Sequence, residues 1–159
     1  MTDHIKFSKE LIKGRIAEIV FEQMFRESGN FTILRFGYEY TLPELAQFQH
    51  SVELQKVLEN MRHTPDFVLI SQSKKEVYLV EVKYRSNYYE DEIKQIAEET
   101  LKKWDPSFLF LATPKGFFFG PCNTIVTDNG KIGVLYDKWA SKEIQEKYLE
   151  LLNEFERRG

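Results

Sequence analysis

The 159-residue sequence predicts an α/β domain, a mixed β-sheet sandwiched by helices. Three observations carry this. An amphipathic segment from Ser8 to about Glu27 precedes a β-rich stretch. Two short β-type runs, Asp66–Ile70 and Val77–Tyr84, follow one another across the polar loop Ser71–Glu76. A helical segment then leads to the apolar run Ser107–Ala112. Two strands in tight antiparallel succession, then a helix and another strand, imply a sheet with both kinds of neighbour, because a parallel neighbour needs a crossover.

Taken in order, Ser8 can cap the first helix, and Ile12, Ile16, Ile19 and Val20 make an apolar stripe at helical spacing. Ser28-Gly29-Asn30 stops it. Phe31 to about Tyr40 is rich in strand formers, with Gly37 marking a bulge. Leu42 to about Met61 reads as a helix with Pro43 near its first turn. Tyr89 to about Trp104 is a helix that turns Ile93, Ile96, Ala97, Thr100 and Leu101 inward, and Ser107–Ala112 is a central strand. Asn123–Tyr136 reads as a hairpin around Asp128-Asn129-Gly130. Ser141 caps a closing helix with Ile144, Tyr148, Leu151, Leu152 and Phe155 on one side. No repeat or linker divides the chain. One domain is expected, with its core at about 8–112 and the hairpin and helix at 113–159.

Composition narrows the function classes. A net charge of −3 weakens a nucleic-acid reading, since phosphate binding is usually advertised by excess Lys and Arg, although folding can gather scattered bases. Cys122 is the single cysteine, so no intrachain disulfide forms; with only His4, His50 and His63 beside it, zinc-site spacing is missing. No apolar run approaches the roughly 18 residues that span a bilayer, and MTDHIKFSKE has no signal-peptide stretch. A cytoplasmic protein without a membrane partner is expected.

The chemistry concentrates on VYLVEVKYR, residues 77–85. Alternation puts Tyr78, Val80, Val82 and Tyr84 on one face, wholly apolar. Val77, Leu79, Glu81, Lys83 and Arg85 share the other, which turns charged along its length. If Ile70 lies opposite Val77, then Val68 faces Leu79 and Asp66 faces Glu81. Two carboxylates across a strand pair repel, by roughly 4 kcal/mol at about 4 Å and an effective dielectric near 20. Protonation of one relieves this, and so does a divalent cation. Lys83, roughly 7 Å further along the same face, can reach a cation-bound water or a phosphate.

Thr64-Pro65-Asp66, a short strand and loop, then Glu81-Val82-Lys83 resembles the PD-(D/E)XK nuclease superfamily from the first helix to Ser107–Ala112. The resemblance implies a restriction-endonuclease-like αβββαβ core and Mg²⁺- or Mn²⁺-dependent hydrolysis of phosphodiester bonds, most simply as an endonuclease acting on DNA. It implies metal ligation by Asp66 and Glu81, with Lys83 as the catalytic lysine. Glu18, in Gly14-Arg15-Ile16-Ala17-Glu18, matches the further glutamate many members carry on the first helix, and the resemblance implies that it supports the same metal or a second one. Gln95 is the candidate for a glutamine on the helix after the lysine strand. The spacing and the GxxxE-type first helix look most like Holliday junction resolvases and related small, single-domain nucleases; Glu99 stands where the exonuclease branch has tyrosine, and that branch is not favoured. The same residues admit a nuclease fold without catalysis, binding nucleic acid or a protein partner.

Arg85 and Lys94 are candidate phosphate contacts, against the plainer reading of solvated bases. His63 is read as a loop histidine. Phe117-Phe118-Phe119 invites stacking on unpaired bases, but such runs are more often core or a homodimer surface, the reading preferred here.

Overall fold

The computed structural model describes residues 3–35, 65–73 and 76–158, with side chains described from Lys9 to Phe155. The expected helix Leu42–Met61, the bulge at Gly37, the second half of the Phe31–Tyr40 strand, and His50 and His63 lie outside the described residues. Helix α1 (Asp3–Ser28) leads to β1 (Phe31–Arg35), then β2 (Phe67–Ser71) and β3 (Val77–Tyr84). Helix α2 (Glu90–Lys103) crosses over to β4 (Phe108–Thr113), which turns into β5 (Gly116–Pro121). Two helices, α3 (Cys122–Thr127) and α4 (Lys142–Arg158), follow.

The sheet order is β1-β2-β3-β4-β5, antiparallel except for the parallel β3–β4 pair that α2 connects. The fold is thus a mixed sheet flanked by helices. Its topology is compatible with a restriction-endonuclease-like core. The β2–β3 register pairs Ile70 with Val77 and Val68 with Leu79, as the alternation requires.

One face of the sheet presents Phe67, Leu69, Val80, Val82, Phe110 and Ala112 to α1 and α4. Aromatic rings fill this layer: Phe21 lies 4.9 Å from both Phe67 and Phe110, and Trp139 stacks on Phe31 at 5.5 Å. The other face packs Leu109 and Leu111 against Ile93, Ile96 and Ala97 of α2 and Ile125 of α3. The inward face expected for α2 is the one observed.

Three expectations need correction. Helix α1 starts at Asp3, so Ser8 lies inside it. Its buried face is Ala17, Val20, Phe21, Met24 and Phe25, while Ile12 and Ile19 are 58% and 47% exposed. Both residue sets have helical spacing, and the larger aromatic surface wins the core. The hairpin also sits one element earlier. Pro114 and Lys115 turn β4 into β5, with the Thr113 Oγ1 accepting the Gly116 N–H at 3.1 Å. Cys122–Thr127 is helical, and Asp128-Asn129-Gly130 is its exit turn. Gly130 has φ +93°, and a Cβ there would lie 1.9 Å from the Glu90 carbonyl oxygen, so only glycine lets this turn dock on α2. Beyond it Val134 bridges Phe118 and covers part of the β5 edge. Finally, Ser141 caps α4 as expected, its Oγ accepting the Ile144 N–H at 3.3 Å, but Leu152 is the buried anchor while Leu151 and Phe155 are exposed.

Candidate functional site

The start of β2 and the end of β3 meet the first half of α1 at one end of the sheet. A cleft of about 630 Å³ opens there. Glu18, Asp66, Glu81, Lys83 and Arg85 all line it, as do Lys13, Ser86, Asn87, Glu10 and Glu92. The antiparallel register delivers Asp66, one residue before β2, to the level of Glu81. The residues singled out from α1, β2 and β3 therefore share one cavity. Gln95 and Lys94 do not: neither is among its lining residues, and Gln95 is exposed. The helical turn that carries Glu92 to the cleft turns them elsewhere.

Each polar group has a partner that limits what it can do. Asp66 Oδ2 accepts the Val82 backbone N–H at 2.8 Å, which ties the loop before β2 to the end of β3. Glu81 Oε1 lies 3.7 Å from Lys83 Nζ. Burial pushes the Glu81 carboxyl up to about 7; the Asp66 charge adds to that push, and Lys83 and Lys103 pull it back. Arg85 donates from Nε to Glu92 Oε1 at 3.0 Å and from Nη1 to the Tyr84 carbonyl at 2.7 Å. Lys13 Nζ stands 5.8 Å from the centre of the Tyr84 ring.

Among the described residues, no group of three or more His, Cys, Asp or Glu side chains is disposed to hold a metal ion. Asp66 has given one oxygen to Val82, and Glu81 faces Lys83, so the repulsion between the two carboxylates is relieved by a raised proton affinity and a neighbouring amine. The expected Mg²⁺ or Mn²⁺ cofactor is corrected on this finding, and with it the metal-dependent nuclease and endonuclease activity.

The sequence reading missed Glu92, Lys13 and Glu10 at the cleft. Glu92 was legible in principle, as an acid seven residues after Arg85 at the start of a helix. It also missed Glu22, only 3% exposed, which accepts from Arg26 Nη2 at 2.9 Å and pairs with Arg35 of β1.

No protein-family model matches the chain, and no curated protein matches its sequence. Among the described residues, no helix is long and apolar enough to cross a membrane.

Proposed function

We propose that this chain is a nuclease-fold module that binds nucleic acid without hydrolysing it. The observation that carries the reading is the convergence of Lys13 from α1 with Lys83 and Arg85 from the end of β3, beside the hydrogen-bonding Ser86 and Asn87, on one cleft. Bases from separate elements on a concave surface suit a phosphodiester backbone. Three carboxylates of the cleft are already engaged: Asp66 with Val82, Glu81 with Lys83 and Glu92 with Arg85. The resemblance to small resolvase-like nucleases supports nucleic acid as the ligand class, as analogy of fold.

Charge sets the expected strength. Among the described residues five carboxylates and three bases line the cleft, and the whole chain carries −3. The long-range field is therefore not attractive to a polyanion, and binding rests on short-range contacts of the bases with phosphate, weak and lost as salt rises. The carboxylate excess favours one other reading, a partner protein that presents basic side chains. A gel-shift series at low salt with single-stranded, duplex and branched DNA separates the two. Salt-sensitive retardation of any of them supports nucleic acid; no shift of any overturns it in favour of the protein partner.

A further inference from the structure

The cleft does not end at its own rim. Ser86 and Asn87 also line a neighbouring hollow of about 320 Å³, bounded by Tyr88, Tyr89 and Phe118. Lys115, at the β4–β5 turn, lines both that hollow and a third, also about 320 Å³, which Lys142 borders at the start of α4. The three cavities follow one another through shared lining residues, a track that starts on the α2 side of the sheet, at Phe118, and passes round the β4–β5 turn to the α4 side, at Phe117.

Character changes along the track. In the cleft, Lys83 and Arg85 lie beside carboxylates. Among the described residues no acid lines the middle hollow and Glu146 is the one acid on the third, while Lys115 and Lys142 are exposed with no ion pair to a described residue. Aromatic faces concentrate in the middle. Tyr89 is 77% exposed, and Tyr88 stands edge-on to Phe118 at 5.5 Å. Phe118 is the member of the Phe117–Phe119 run that faces this side, since Phe117 and Phe119 are buried in the opposite layer.

An aromatic platform followed by exposed lysines, Lys115 with no acid on its hollow and Lys142 with Glu146 one turn away, matches a ligand with flat apolar faces strung on an anionic backbone. Stacked bases inside a duplex cannot offer those faces, whereas an unpaired strand can. We propose that the track takes single-stranded nucleic acid, a base stacking at Tyr88 and Tyr89 and the backbone running past Lys115 toward Lys142. This rests on the nucleic-acid reading and names its strand state and a contact site.

Fluorescence anisotropy of the full chain with a labelled 20-nucleotide DNA strand, the same-sequence RNA and the matching duplex tests it. The single strands are expected to bind at least about ten-fold tighter than the duplex, and Tyr89→Ala to weaken them about ten-fold. Lys115→Ala lowers the slope of log affinity against log salt by about 0.7. Tyr89 is on the surface, so thermal melting of Tyr89→Ala should match the parent and exclude a folding defect. Equal DNA and RNA affinity assigns the contacts to base and phosphate; an RNA preference adds the 2′-hydroxyl, and either result is consistent with the track. Duplex binding as tight as the strand, with Tyr89→Ala unchanged, overturns the proposal and leaves the nucleic-acid reading standing. Absence of binding to every probe at low salt overturns both.

Discussion

Two carboxylates on opposite sides of the same sheet meet different fates. Glu22 is buried in the α1 layer, and two guanidiniums, Arg26 and Arg35, close on it. Glu81 points into the cleft, has a carboxylate for one neighbour and a single amine 3.7 Å away for the other, and keeps its proton to about pH 7. A compensated buried charge is structural, because removing its partners strands it. An under-compensated one destabilises its surroundings and marks a place where a fold gives up stability. The contrast separates the part of this molecule built to hold together from the part left open for a ligand.

The contrast breaks most visibly at Arg35. Arg35→Ala strips Glu22 of its cross-element partner and leaves it Arg26 alone, and a loss of about 2 kcal/mol is expected, seen as a drop in Tm of roughly 6 °C. A change within experimental error would make the two carboxylates equivalent. Glu81→Gln has the opposite sign. The folded carboxyl holds its proton to about pH 7, whereas the unfolded chain releases it near the ordinary value of 4.5. The unfolded state thus binds fewer protons in that window, and stability is fully present below about pH 4.5 and lost as pH rises through about 7. Glu81→Gln is expected to flatten this decline and to gain on the order of 2 kcal/mol at pH 8, measured by urea unfolding across pH.

Asp66→Asn sharpens the comparison further. The amide keeps an acceptor for the Val82 N–H and removes a negative charge beside Glu81, so stability changes by less than about 1 kcal/mol. The Glu81 titration, followed by NMR, moves down toward the ordinary carboxylate range. Lys83→Ala gives the smallest effect and moves the same titration up. If Asp66→Asn left the Glu81 titration in place, burial alone would account for it.

Much of this was legible in the sequence, for identifiable reasons. The β2–β3 pair was legible because period-two alternation on both strands admits one register, and that register carried Asp66 to Glu81. Helix α2 was legible because its apolar residues lie on one side only. Helix α1 was misread because isoleucines and aromatics compete at the same spacing, and only the rings opposite, Phe67 and Phe110, decide between them. The Asp128–Gly130 turn was found but its preceding segment was not, since CNTIVT is rich in strand formers and becomes helical where the turn docks on Glu90. The metal site failed for another reason. Spacing brings the right residue types to one cleft, but it does not fix how their side chains converge, and among the described residues no three of them do so closely enough to hold an ion.

The central claim is binding without cleavage, and one tube can test it. End-labelled single-stranded DNA and supercoiled plasmid are incubated with the full chain at low salt and millimolar Mn²⁺, and each sample is split between a native gel for retardation and a denaturing gel for strand integrity. The account predicts retarded strands that remain full length. Shortened strands or relaxed plasmid that appear only with the metal, and vanish in Asp66→Asn, would contradict it.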